Sequence, residues 1–313
     1  MRTITPNHPT KAGDINLSRS TRCIALTAWL VLVAAAFFAA RAEADLPKVV
    51  ASKDGTPISY EVYGQGEPAL VFVHGWSCDA RYWREQIPHF VKNHRVVLLD
   101  LAGHGHSGTS RAKYTMQAFG EDVRAVTEAA AGGKAILIGH SMGGLAVAEA
   151  ALLMPDKVIG IIGVDTLEDL EYSTTAEEIA QMIAPLKSDF QTGSRQFIAE
   201  MIAAGSNPLI RDWIIADVAA APPNVALSAM NELLTEYSTG ALPKLFDRLH
   251  IPVVTVNADL WPINYEANRR HIPGFEAIVL QGTDHFLMLN TPARFNDALA
   301  KAISTVLTQA AQK

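Results

Sequence analysis

The chain has 313 residues, 49% of them hydrophobic, with two cysteines and a formal net charge of −6. That length supports one large core, or a core with an insertion, and excludes a small disulfide-held fold, because Cys23 and Cys78 are the only thiols and Cys23 falls in a leader-like segment. The acidic balance without a basic stripe argues against a nucleic-acid partner, and no cysteine or histidine cluster has zinc-site spacing, His104-Gly105-His106 lacking further ligands nearby.

Residues 23–40 form an uncharged apolar run preceded by Arg19 and Arg22, the pattern of an export signal. Ala40/Ala42 and Ala42/Ala44 offer two Ala-x-Ala cleavage boxes, the second leaving Asp45 as the first mature residue. The run approaches the ~18 residues at which a spanning helix becomes plausible, so an uncleaved inner-membrane anchor is the alternative. The alanine content and the position of the boxes favour a cleaved leader over residues 1–44 and a periplasmic or secreted protein. Its removal takes away five basic and two acidic residues and moves the net charge from −6 to −9.

Val49 to Ser52 and Ile58 to Tyr63 flank Asp54-Gly55, a tight-turn pair, and predict an antiparallel hairpin. Short apolar runs then recur at Ala69–Val73, Val96–Leu99, Ala135–Ile138, Val158–Val164, Val253–Val256 and Ala277–Leu280, with helical stretches between most of them. Buried runs of this kind predict a mostly parallel twisted sheet with helices on both faces, an α/β fold. The last helix places Phe295, Ala298, Leu299, Ala302, Ile303 and Val306 on one face. Between Val164 and Ile251 no strand pattern is found. Stretches near 176–190, 194–204, 207–220 and 224–238 read as helices punctuated by Pro185, Gly193, Asn207-Pro208 and Pro222-Pro223. Helices inserted between two strands at the carboxyl edge, where ligands bind in open sheets, predict a cap over the site. The organisation is therefore a leader over 1–44, core over 45–166, helical cap over 167–246 and core again over 247–313. The cap's apolar residues, including Met182, Met201, Trp213, Met230 and Tyr237, serve either a substrate pocket or the cap's own small core.

The apolar run Ile136-Leu137-Ile138 breaks at Gly139-His140-Ser141-Met142-Gly143 and resumes with helical spacing. A serine on a sharp strand-to-helix turn takes a strained backbone conformation, and the chain packs that tightly only where the residues two before and two after lack bulk. Gly139 and Gly143 meet that need, so Ser141 is the candidate nucleophile. A serine nucleophile requires a base, an acid to orient the base, and oxyanion donors. His285, in Gly282-Thr283-Asp284-His285-Phe286 after the last strand, is the candidate base. The backbone N–H groups of Met142, the residue after the nucleophile, and of Trp76, in Phe72-Val73-His74-Gly75-Trp76, are the candidate oxyanion hole.

From about Lys48 to the C-terminus the chain resembles the α/β-hydrolase superfamily. The resemblance rests on His74-Gly75-Trp76, the loop Asp100 to Gly108 (Asp-Leu-Ala-Gly-His-Gly-His-Ser-Gly), the elbow around Ser141, and Gly282 to Phe286. Within the superfamily it is similar to the capped esterase, haloperoxidase-like and carbon–carbon hydrolase branch. Haloalkane dehalogenases and epoxide hydrolases place aspartate at the elbow, and Ser141 argues against both. The third triad member departs from the family pattern. The strand-ending glycine is Asn257, and the usual acid slot, often followed by proline, holds Trp261 in Asn257-Ala258-Asp259-Leu260-Trp261-Pro262. Two carboxylates can substitute: Asp259 in the same loop, which is the preferred candidate, and Asp165 at the end of the preceding strand, where some lipase-like relatives place their acid.

These features imply an exported serine hydrolase without cofactor or metal, cleaving a small or medium carboxylic ester, thioester or lactone through an acyl-enzyme on Ser141. The same triad can serve carbon–carbon bond hydrolysis or cofactor-free perhydrolysis. A non-catalytic ligand-binding protein on this fold is the alternative of another class. The expected partner is a small ester-like molecule, with a membrane involved only if the leader is uncleaved.

Overall fold

A computed structural model describes residues 47–312. The expected leader or anchor over 1–44 lies outside the described residues. Eight strands form one sheet in the order β1-β2-β4-β3-β5-β6-β7-β8. They are β1 (Lys48–Ala51), β2 (Pro57–Tyr63), β3 (Ala69–Val73), β4 (Val96–Leu99), β5 (Ala135–His140), β6 (Val158–Val164), β7 (Val253–Ala258) and β8 (Glu276–Leu280). β1 pairs antiparallel with β2, and β2 with β4; every later pairing is parallel. The hairpin and the six later runs read from the sequence all fall on these strands. β3, β4 and β5 are buried along their whole length, so both sheet faces are covered, which explains why they read as continuous apolar runs rather than alternating ones.

The helices of seven or more residues are α1 (Met116–Ala130), α2 (Met142–Leu153), α3 (Ala176–Ser188), α4 (Phe190–Ala199), α5 (Pro208–Ala219), α6 (Pro223–Ser238), α7 (Ala241–Asp247), α8 (Tyr265–His271) and α9 (Pro292–Ala310). Their starts follow local chemistry. Thr115 Oγ1 accepts from the Ala118 N–H to cap α1, and Thr175 with Glu178 closes a capping box on α3. Asp189 caps α4, and Asn207 with Pro208 at the first position starts α5. α9 buries Phe295, Ala298, Leu299, Ala302, Ile303 and Val306 against β6, β7 and β8, the face its periodicity predicts. α3 to α7 all fall between β6 and β7; α7 was not foreseen, being only seven residues long and starting at a left-handed glycine, Gly240. Among the described residues no single helix is long and apolar enough to cross a membrane.

The link between β5 and α2 is the most constrained turn in the core. Ser141 has φ 52° and ψ −121°, a costly conformation for a side chain with a Cβ, on the order of 1–3 kcal/mol. Two backbone hydrogen bonds hold it there: Ser141 N–H donates to the Val164 carbonyl at 2.9 Å and Gly144 N–H to the Ser141 carbonyl at 2.9 Å. A Cβ on Gly139 would drive into the Gly143 carbonyl, and one on Gly143 would stand 2.6 Å from the His74 carbonyl oxygen. Both obstacles are backbone and cannot rotate away. Gly139→Ala is therefore expected to destabilise the protein by at least about 2 kcal/mol, at the upper part of the range for overpacking a core. Urea unfolding monitored by circular dichroism checks this; an unchanged midpoint would show that the turn has slack.

Candidate active site

The carboxyl ends of the central strands place the candidate residues around one cavity of about 520 Å³, a size suited to a small ligand. Ser141, Met142 and His140 line it from the turn after β5, Trp76 from the loop after β3, Asp165 and Glu168 from the loop after β6, and His285 from the loop after β8. Phe197, Met201, Met230, Leu233 and Tyr237 roof it from the helical block and its connections. Of the five residues weighed earlier between pocket and cap core, Met182, Met201, Met230 and Tyr237 line the cavity. Trp213 instead lies under Arg81 and Arg84, whose guanidinium carbons stand 5.4 and 4.5 Å from its ring centre.

His285 is buried and held on three sides. Its Nδ1 meets Asp165 Oδ2 at 2.6 Å. Its own N–H donates to the Met201 carbonyl at 3.2 Å, and its carbonyl accepts from His140 Nε2 at 2.9 Å. Burial, followed by the neighbouring His285 ring, holds His140 well below the ordinary histidine range, so His140 is neutral and carries its proton on Nε2. Asp165, like Ser141, is a non-glycine residue with positive φ, 47°, and its other oxygen accepts the Ala258 N–H at 2.7 Å. Both oxygens of this buried carboxylate are thus engaged, one by the base and one by the end of β7.

Asp259, the preferred acid in the sequence, does not reach His285. Its carboxylate accepts the Gly282 N–H at 2.9 Å and the Thr283 N–H at 3.4 Å, and these amide contacts, Gly282 foremost, lower its pKa. It is exposed and braces the loop after β8 from outside. The reason is local: the Asp259 carboxylate is taken up by the two amides of the loop after β8, while Trp261, two residues on, is the side chain of this loop that turns into the cavity. Trp261, in the slot the family gives to its acid, stands edge-on to the His285 ring at 5.9 Å and lines the cavity, 42% exposed.

The loop bearing Trp76 is built from His74. Its Nδ1–H donates to the Gly75 carbonyl at 2.8 Å, its Nε2 accepts the Leu101 N–H at 3.0 Å, and burial depresses its pKa, so it is a neutral strut. The Trp76 indole N–H donates to the Ala226 carbonyl of α6 at 2.8 Å, tying this loop to the roof. Neither the Trp76 nor the Met142 backbone N–H donates to a protein acceptor among the described residues. Asp100, which opens the family-like loop after β4, is structural: it accepts from the Ala80 and His106 N–H groups at 2.9 and 2.8 Å.

Three residues near the site were given no role in the sequence. Asp284 is buried and accepts from the Ala203 and Phe286 N–H groups and from Asn290, tying the base loop to the chain after α4. Asn257 Nδ2 donates to the Thr166 carbonyl and to Glu168 Oε1, both at 3.0 Å, so the residue that replaces the strand-ending glycine has an occupation. Glu168 lines the cavity; burial, and then the Asp165 charge, push its pKa up to about 7. Among the described residues no group of three or more His, Cys, Asp or Glu side chains is placed to hold a metal ion.

A family model of the alpha/beta hydrolase fold matches residues 68–200. A pimeloyl-[acyl-carrier protein] methyl ester esterase of Edwardsiella ictaluri is 30% identical over 196 residues, covering 58% of this chain and 74% of its own. The karrikin insensitive 2 receptor CA of Petunia hybrida is 24% identical over 204 residues, 61% of this chain and 74% of its own. The crystal structure of a bromoperoxidase from Bacillus anthracis superposes with a TM-score of 0.72 at 22% identity, over 82% of this chain and 99% of that one. The chain belongs to the alpha/beta hydrolase fold family and is a serine hydrolase within it.

The site geometry generates a paired test of the acid. Asp165→Asn removes the charge that fixes the His285 tautomer and is expected to lower kcat by at least about a thousandfold with little change in KM. Asp259→Asn keeps the His285 contact and is expected to stay within about threefold of the parent enzyme, where surface substitutions usually fall. Equal losses in both variants, measured on a p-nitrophenyl ester, would contradict this geometry.

Proposed function

We propose that the protein is an exported serine hydrolase that cleaves a small or medium carboxylic ester, thioester or lactone through an acyl-enzyme on Ser141. The observation that carries this reading is the buried Nδ1 to Oδ2 contact of 2.6 Å between His285 and Asp165, in a cavity that Ser141 also lines. Asp165 holds the His285 proton on Nδ1 and leaves Nε2 as the base. Nε2 takes the Ser141 hydroxyl proton as Oγ bonds to the substrate carbonyl carbon. The oxyanion that results is held by the Trp76 and Met142 N–H groups, which have no competing protein acceptor among the described residues. The imidazolium returns its proton to the departing alkoxide or thiolate, the carbonyl–heteroatom bond breaks, and the acyl group stays on Ser141. Water, deprotonated by the same Nε2, then adds to the acyl carbon and Ser141 leaves with the proton.

The lining favours an apolar acyl or alcohol part, with Met182, Phe197, Met201, Leu233 and Leu234 in the roof and its connections. The similarity to the Edwardsiella ictaluri esterase supports ester hydrolysis, and the leader pattern over residues 1–44 supports export. N-terminal sequencing of protein secreted by a bacterial host is expected to begin after Ala42 or Ala44, whereas an intact leader on membranes would favour the anchor. Rapid mixing with a p-nitrophenyl ester tests the acyl-enzyme. A p-nitrophenol burst near one equivalent per protein is expected wherever deacylation is the slow step, absent from Ser141→Ala with its fold intact. Undiminished turnover by Ser141→Ala would refute the assignment.

A further inference from the structure

The whole cavity lining contains three carboxylate residues, Asp165, Glu168 and Asp169, and neither lysine nor arginine. Glu168 neighbours Asp165 and Tyr237, and Tyr237 stands beside Tyr172, so these groups share one end of the cavity. Asp165 is matched by His285 and the Ala258 N–H, and Asp169 accepts from the Glu171 N–H and from Asn264 Nδ2. Glu168 has no cationic partner: its carboxylate takes its own backbone N–H and a neutral amide N–H from Asn257, and the groups charged or titratable around it are Asp165, His285, Asp169 and Tyr237. Tyr172 and Tyr237 stand edge to face at this end with ring centres 6.1 Å apart, and both line the cavity. Tyr172 is 57% exposed, so its ring can be reached from solvent.

We propose that this end of the cavity recognises a substituted ammonium group on the substrate, with Glu168 as the specificity-determining carboxylate and the rings of Tyr172 and Tyr237 as its aromatic walls. The inference rests on the serine hydrolase reading and deepens it to esters that carry a cation on their acyl or alcohol part. The chemistry is complementary. An ammonium in an otherwise apolar pocket needs an opposite charge and benefits from aromatic faces, which attract cations electrostatically. A carboxylate-bearing substrate would instead meet three acidic residues with no lining cation to receive it. Glu168 is also matched to a switch. With its pKa raised to about 7 it is neutral below that pH and ionised above it, so the preference for a cation grows as pH rises through about 7.

The test compares butyrylcholine with its carbon isostere, in which a quaternary carbon replaces the nitrogen, by calorimetric binding to Ser141→Ala protein. Binding to this variant reads the pocket independently of turnover. The cationic ester is expected to bind at least about tenfold tighter at pH 8, with the ratio shrinking as pH falls to 6. Adding Glu168→Gln should bring the ratio to within about twofold at both pH values, because the amide cannot ionise. The pH dependence in the Ser141→Ala background tests the claim even if the double variant folds poorly. Equal or weaker binding of the cationic ester at both pH values overturns the inference, as does a preference that survives Glu168→Gln. Hydrolysis of the carbon isostere by the parent enzyme, lost in Ser141→Ala, reports separately on the serine hydrolase reading.

Discussion

Everything at the site depends on how closely the chain passes itself where β5 turns into α2. The Gly139 and Gly143 backbones and the His74 carbonyl come together with no volume left for a methyl group. That crowding is what lets Ser141 stand at φ 52° with its N–H on the Val164 carbonyl. The same close approach fixes the first turn of α2 beside the loop after β3, and Met142 and Trp76 line the same cavity. A strained serine alone would relax; here backbone on both sides prevents it.

His285 is positioned by contacts drawn from distant parts of the chain. Asp165 holds the imidazole, His140 holds the His285 carbonyl, and the chain after α4 holds the His285 N–H through Met201. His140 sits directly before Ser141, so the turn that carries Ser141 also braces His285. Asp284 adds a tie to Ala203, and the Trp76 indole adds one to Ala226, so the roof is bonded to both the His285 loop and the Trp76 loop. Movements of the helical block are therefore expected to be felt at His285 and Trp76, not only at the pocket walls.

The fold was legible because its signals are local. Val96–Leu99 and Val158–Val164 are strands because continuous apolar runs suit a doubly covered sheet, and Asp54-Gly55 marks its hairpin. Ser141 and His285 were legible as candidates because each sits in a glycine-bearing turn directly after a strand. The candidate acid was not, because its identity depends on where a side chain points after a strand ends. Asp259 and Asp165 both follow strands, and only the folded loops show that the Asp259 carboxylate takes the Gly282 and Thr283 amides while that of Asp165 meets the imidazole. Glu168 was invisible for a related reason. Three residues beyond Asp165 it reads as one more loop acid, and only the sheet's geometry buries it beside Asp165 and Asn257.

If Ser141, lifted by the crowded turn, bonds to the substrate carbonyl, a fluorophosphonate should find it. Peptide mass mapping after such treatment is expected to show one adduct per protein, on the peptide containing Ser141, with labelling slowed when Asp165 is replaced by asparagine. An adduct on any other serine, or a fully active protein that cannot be labelled, would contradict this role for Ser141.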